Sequence, residues 1–362
     1  MTSAHRRAYI DWARAVAVLL MIEAHTVDAW TRPADRTGIA FSDLAILGGF
    51  AAPLFLWLAG LGVALSAARV AERTGSRARA VETACRRGVE IFILAFLFRL
   101  QAFVLSPGGS PVKLFRVDIL NVMGPAMVIA GLLWGVATRP SSRAILYGAV
   151  AAAIAMVTPI VRAAQAVDRL PIWIQWYVRP AGEYTTFTLL PWAGFVFAGA
   201  AAGAIIAAIR RDAAERRLHI ALAAAGVILV GVGFWAAERP SLYRAASFWT
   251  SSPTWFAIRV GLLMVGLAAI YVLERLTHHR SQTCLARIGR SSLFIYWIHV
   301  ELVYGYASWL WRGRLPLWGT GLAYIAFCAA MFGAVVLRDR VVEALQLRTP
   351  SDRSLWRPAP GR

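Results

Sequence analysis

Apolar residues gather along this chain into repeated blocks of about 18 to 24 positions, the length a helix needs to cross a hydrocarbon core about 30 Å thick. The blocks predict helical spans near 12–29, 43–68, 88–105, 118–137, 144–160, 186–208, 218–236, 254–274, 290–307 and 317–337. The polar stretches between them are short. The pattern predicts an all-α polytopic membrane protein of about ten transmembrane helices. One unit, 1–340, holds every span, and 341–362 is read as a cytoplasmic Arg- and Pro-containing tail. The block at 144–160 is short, Ala-rich and ends in Thr158-Pro159. It is kept because losing it would invert every later segment.

Charge then sets the orientation. With the N-terminus inside, the inner segments hold 25 Lys and Arg and the outer segments 11, the bias that cytoplasmic loops carry. Both termini are therefore expected in the cytoplasm, with Arg210, Arg211, Arg216 and Arg217 on the same side. The long outer segment 161–185 brings Trp173, Trp176 and Tyr177, ring types suited to the headgroup layer or to roofing a cavity. Composition agrees: 59% of the 362 residues are hydrophobic and 16% are charged, against about 25% charged in a soluble domain. That excludes a soluble α/β enzyme, a disordered chain and a disulfide scaffold. The net charge of +19 is then a topological signal and no nucleic-acid partner is expected. Cys85, Cys284 and Cys328 lack metal-ligand spacing and read as packing residues; no metal is expected. The basic start (Arg6, Arg7, Arg14) runs into the first span without a small-residue cleavage motif, so the first helix is expected to be retained.

Ionisable residues inside spans are costly in lipid and should face the bundle interior or a wet cavity. The first span, "DWARAVAVLLMIEAHTVDAW", has several. Asp11 and Arg14 share its inner face. His25 lies about 16 Å further along, with Glu23 and Asp28 nearby. Glu23 and His25 read either as a structural hydrogen-bonded pair or as part of a site. In "GGFAAPLFLWLAGLGVALS", Gly48, Gly49, Gly60 and Gly62 permit close helix approach, and Pro53 interrupts the ladder. Arg99 and Asp118 can pair across a short outer loop, as a fold-fixing bridge or as site residues. "RIGRSSLFIYWIHVELVYGY" enters from inside with Arg287, Arg290 and Ser292, then carries Tyr296, His299 and Glu301. Arg259 is a further cation within a span, expected to meet a carboxylate or an anionic ligand.

Taken in order, "RRAYIDWARAVAVLLMIEAH", "GGFAAPLFLWLAGLGVALS", "FRVDILNVMG", "LLPWAGFVFAG" and "LARIGRSSLFIYWIH" resemble bacterial members of the heparan-α-glucosaminide N-acetyltransferase catalytic-domain family, over 6–337. The last block also resembles related membrane acyltransferases that decorate surface sugars. The resemblance implies a multi-pass enzyme of the bacterial cytoplasmic (inner) membrane. It would move an acyl group, usually acetyl, from cytosolic acyl-CoA to an extracytoplasmic sugar or amino sugar. Asp11 and Arg14 match the family's D-x-x-R pair, His25 a histidine eleven residues on, Asp118 the D-I-L-x-x-x-G block, and Pro191 and Gly194 the P-x-x-G. One departure stands out. The animal lysosomal enzyme has asparagine at the position of His25 and a catalytic histidine in the loop that follows, whereas 26–60 here contains none.

On that resemblance, His25 is the expected general base, with Glu23 or a polar group from another helix holding it. His299 and Asp118 would line the acceptor side, and His299 is the rival for the base role, or else holds the thioester or orients His25. Asp11, Arg14, Arg86, Arg87, Arg287, Arg290 and Ser292 are the candidates for holding acetyl-CoA, since guanidinium forks grip phosphate. Asp28, Arg99, Glu183, Arg259 and Tyr296 are the candidates for the glycan or amino-sugar acceptor. Membrane lipid and a second copy of the chain are the other expected partners. The function of another class is a secondary transporter or flippase for a small anionic or glycosidic substrate. A broken helix and buried Arg259 and His299 would suit it, while the lack of an internal repeat speaks against it.

Overall fold

A computed structural model describes residues 7–105, 110–277 and 279–348, the side chains of 279–283 and 346–348 excepted. Thirteen α-helices occur among these residues: α1 Ala8–Trp30, α2 Ile39–Gly48, α3 Ala51–Thr74, α4 Arg77–Leu105, α5 Ile119–Val136, α6 Pro140–Ala163, α7 Ile172–Val178, α8 Leu189–Ala208, α9 Asp212–Ala237, α10 Pro253–Leu276, α11 His279–Arg290, α12 Ser292–Tyr304 and α13 Leu317–Arg348. Eight segments are long and apolar enough to cross a membrane, α2 and α3 together counting as one. They correspond to eight of the ten expected spans, the Ala-rich α6 among them. The remaining two are α1 and α12. The first has 23 residues but carries Asp11, Arg14, Glu23 and Asp28, and the second has only 13 residues. Both hold candidate site residues; charged residues dilute the apolar signal in α1, whereas α12 is apolar and falls short in length alone. The protein is all-α and polytopic. Helix α13 runs on to Arg348, past the boundary expected at 340, and 349–362 lie outside the described residues.

Helix α1 is central, with 15 of its 23 residues buried. Three contacts tie it to the α11–α12 segment. An added Cβ at Gly289 would meet the Asp11 carbonyl, His25 meets His299, and Asp28 accepts from Tyr304. These pairs ascend together, so the two segments run in the same direction, as the first and ninth spans of a ten-span chain must. On the other flank, α3 and α8 approach until their backbones touch. A Cβ at Gly60 would meet the Val196 carbonyl and one at Gly199 the Trp57 carbonyl. Small residues permit this crossing, which brings fully buried Trp57 and Phe195 into one core.

The expected interruption at Pro53 is present, and it explains Arg259. Pro53 lies in the first turn of α3 and has no N–H, so the Gly49 carbonyl one turn earlier loses its ladder donor. Arg259 of α10 donates to that carbonyl instead. Its guanidinium also lies 4.6 Å from the Phe50 ring centroid and 4.7 Å from that of Trp255. The expectation that Arg259 must meet a carboxylate or a ligand is therefore corrected: a backbone vacancy left by proline and two aromatic faces satisfy it.

Of the two expectations for segment 161–185, the roof over a cavity is not met. Trp176 stacks on Tyr184 at 4.8 Å, and Trp173 is exposed. Neither roofs the cavity described below. That wall comes from a clip just beyond them, in which Val117 N–H donates to the Tyr184 carbonyl and Thr186 N–H to the Val117 carbonyl, both at 2.9 Å. The clip delivers Arg116, Asp118, Thr186 and Phe187 to one rim.

Candidate active site

A cavity of about 1570 Å³ lies between α1, α3, α4, α5 and α12. Its lining on α3 extends from Ala51 to Thr74, a rise of about 35 Å, longer than the roughly 30 Å hydrocarbon core. At one end stand Arg14, Arg79, Arg86, Arg87 and Arg290 with Ser292. Arg86 and Arg87 share Glu90, each at 3.1 Å. The middle is apolar and includes Phe55, Leu58, Ala59, Val63, Met123 and Met127. At the other end lie Asp28, Arg99, Arg116, Asp118, Thr186, Trp192, Glu301 and Tyr304. Among them Arg99 pairs with Asp118, Arg116 Nη2 donates to the Thr186 hydroxyl at 2.8 Å, and Tyr304 Oη donates to Asp28 Oδ2 at 2.8 Å.

His25 lines this cavity and His299 stands behind it, fully buried. Their rings are parallel, with His25 Nδ1 and His299 Nε2 2.8 Å apart. The far side of His299 fixes who donates. Its Nδ1 is 2.9 Å from the carbonyl oxygens of both Ile295 and Tyr296, which only accept, so Nδ1 carries the proton. In a neutral ring Nε2 is then an acceptor, and His25 Nδ1 must donate to it. The lone pair of His25 is left on Nε2. The pair thus sets the tautomer of the histidine that lines the cavity without any carboxylate.

Residues 6–235 match the family described as heparan-alpha-glucosaminide N-acetyltransferase, catalytic. The chain belongs to that family. No curated protein matches the chain. Membership supports a membrane acyltransferase of the acetyltransferase kind, with an acyl-CoA-type cosubstrate. For this member of the heparan-α-glucosaminide N-acetyltransferase catalytic family the match includes His25 and stops short of His299, leaving the closing "LARIGRSSLFIYWIH" outside it.

The cavity's donor set fits such a cosubstrate. Guanidinium groups suited to phosphate gather at one end, and an apolar stretch leads from them toward His25. Gly62 leaves room beside Arg14, where an added Cβ would lie 3.6 Å from Nη2. Arg14, Arg86, Arg87, Arg290 and Ser292 all line the cavity as expected. Asp11 does not; it is buried behind Arg14, 3.5 Å from Nη1. Arg287 turns away into an ion pair with Asp339 at 2.7 Å. At the opposite end Asp28, Arg99, Asp118 and Tyr296 line the cavity. Glu183 does not, being exposed on segment 161–185 at 3.1 Å from Lys113. Arg259 is likewise spent on Gly49, outside the lining.

The expected Glu23–His25 pair does not form. Two residues apart on a helix means about 200° of rotation, so the side chains leave α1 in different directions. Glu23 points at Gly48, where an added Cβ would lie 2.6 Å from Oε2, and neither carboxylate oxygen has a hydrogen-bond partner among the described residues. Asp118 has a structural duty beside its place in the lining. It caps α5 through the Ile119 N–H at 2.8 Å, and its own N–H donates to Asn121 Oδ1 at 3.0 Å. Several lining residues escaped sequence reasoning, Arg79, Trp192, Arg116, Thr186 and Tyr304 among them. Tyr304 was accessible, because Tyr296, Val300 and Tyr304 are four apart on one face of α12. Arg116 and Thr186 are brought together only by the clip.

Proposed function

We propose that this protein transfers an acyl group, acetyl by family, from a cytosolic acyl-CoA to a sugar or amino-sugar acceptor on the opposite face of a bacterial inner membrane, with His25 as general base. The observation that carries this reading is one cavity with guanidinium groups at one end and a tautomer-fixed histidine toward the other. Acyl-CoA supplies the thioester. Arg14, Arg86, Arg87, Arg290 and Ser292 hold its phosphate-bearing part, and the apolar middle excludes water from the path to His25.

At the far end Asp28, Glu301 and Tyr304 offer acceptors and a hydroxyl to a polyol. His25 Nε2 takes the proton of the attacking hydroxyl or amine and holds it for the departing sulfur. Its Nδ1–H stays donated to His299 throughout, so charge developing on the imidazole meets a fixed acceptor rather than bulk water. His299 is accordingly a positioning residue, one layer behind the reacting atoms. The count of 25 against 11 basic residues supports placing the arginine end in the cytoplasm.

The length of the cavity also favours a second reading, a transporter or flippase for a glycosidic or anionic substrate. The two separate by chemistry. Protein in liposomes is given acetyl-CoA and a panel of glycans and amino sugars, and free coenzyme A and acylated acceptor are counted. Equal amounts of both, dependent on acceptor, are expected. Movement of the sugar across the bilayer without coenzyme A release would establish the transporter.

A further inference from the structure

A second cavity, of about 470 Å³, lies at the arginine-rich end between α11 and α13, lined by Cys284, Arg287, Arg290, Ser291, Arg338 and Asp339 with Phe332. Three guanidinium groups face one carboxylate there. Asp339 bridges two of them, accepting from Arg287 Nε at 2.7 Å and from Arg338 Nη2 at 2.6 Å. Arg338 also donates to the Ser291 hydroxyl at 2.9 Å and lies 4.9 Å from the Phe294 ring centroid. Among the described residues, Arg290 Nε reaches only the Ala286 carbonyl of its own helix, at 3.1 Å. Each guanidinium has five N–H donors, so most of those around this space are unspent on acceptors among the described residues. The carboxylate orients Arg287 and Arg338 without neutralising the third cation.

We propose that this α11–α13 pocket is an anion site that takes a phosphate group, adjoining the acyl-CoA cavity, with which it shares Arg290. A concentration of fixed forks with net positive charge recognises phosphate by paired N–H donors. Its position suits a membrane source in particular. Basic pockets between helices at the arginine-rich face are where acidic headgroups are held, and exposed apolar side chains on the adjacent α13, such as Leu337, Val341 and Val342, give acyl tails a surface to lie on. Soluble phosphate offers the same chemistry without the tails. The site stands on its own geometry and does not depend on the acyltransferase reading.

The test uses the full-length protein in phosphatidylcholine nanodiscs, with phosphatidylglycerol added in one arm and inorganic phosphate in the other. Melting temperature and lipids retained in native mass spectrometry are read for the wild type and for Arg287→Gln/Arg338→Gln. A third sample, Arg290→Gln, removes a cation whose one hydrogen bond among the described residues is to its own helix, which guards against loss of fold in the double variant. Phosphatidylglycerol is expected to raise the melting temperature and be retained over phosphatidylcholine, with about tenfold weaker binding in each variant. If inorganic phosphate reproduces the wild-type shift and the variants lose it, the source is soluble phosphate and the site stands. Absence of any shift or retention with either ligand, or an effect that survives in both variants, overturns the proposal.

Discussion

His25 and His299 are 274 residues apart in sequence, yet their facing ring nitrogens are 2.8 Å apart. The direction of that hydrogen bond follows from the two backbone carbonyls under His299, and it places the free lone pair on His25 Nε2. Replacing His25 by Ala is expected to lower acyl transfer by about 10² to 10⁴ while cosubstrate binding survives. His299→Ala should cost less and act through His25. The pH profile of the rate should move, and His299→Gln, whose side-chain carbonyl can accept from Nδ1–H, should recover part of the loss. Full turnover by folded His25→Ala would end the assignment of the base.

Arg259 and Pro53 are energetically linked through the Gly49 carbonyl. Arg259→Ala leaves that carbonyl without a donor inside the bundle and is expected to destabilise the fold by about 1 to 3 kcal/mol. Pro53→Ala restores an N–H to the helix ladder at the same place. The double variant should therefore lose less stability than the two single losses added together, and chemical or thermal unfolding of the four proteins measures the coupling. Strict additivity would remove the link.

At the cosubstrate mouth, Arg14→Ala is expected to raise the dissociation constant of acyl-CoA by about tenfold or more, the value of a charge-assisted contact to phosphate. Calorimetry reports the binding, and a melting curve on the same sample separates it from collapse of the inner end of α1. A wild-type protein that is stable and does not bind acyl-CoA would refute the reading of this mouth.

Orientation is checked by single-cysteine labelling in a background lacking Cys85, Cys284 and Cys328. Positions within 69–87 and 210–217 should react only from the cytoplasm, and positions within 161–185 from outside. Labelling of 210–217 in intact cells would displace the ten-span arrangement.

The contact of Asp35 with the start of α13 predicts a pH dependence. Asp35 Oδ2 accepts from the Leu317 N–H at the start of α13 at 2.9 Å, and Oδ1 accepts from Arg32 Nε at 3.0 Å. These bonds, the backbone one foremost, hold its carboxyl below the ordinary value of 3.8. A depressed carboxyl contributes stability above the unfolded value and loses it as pH falls through the folded one. Asp35→Ala should therefore lower the melting temperature near neutral pH, with the gap from wild type closing well below pH 3.8.

Much of this protein was legible from local pattern alone. Apolar block length is a property of consecutive residues, and it returned eight spans, the Ala-rich α6 included, together with the all-α class. Helical rise set the depth of Arg14 and His25 on α1, so one could be expected near a mouth and the other far above it. Pro53 announced a broken ladder because its missing N–H is covalent chemistry. Partnership was another matter. Glu23 and His25 are close in sequence but leave α1 in different directions, so of the two expected holders of His25, Glu23 or a polar group from another helix, the structure has the second, His299 of α12. Arg287 and Arg290 are three apart, yet only Arg290 reaches the large cavity, because Asp339 of α13 draws Arg287 away. Which faces of two helices meet depends on rotation and crossing, fixed by close packing at places such as Gly289 on Asp11 and Gly60 on Val196. Those contacts join residues far apart in the chain, and no pattern of neighbours encodes them; the tertiary structure alone decided which candidates share a site.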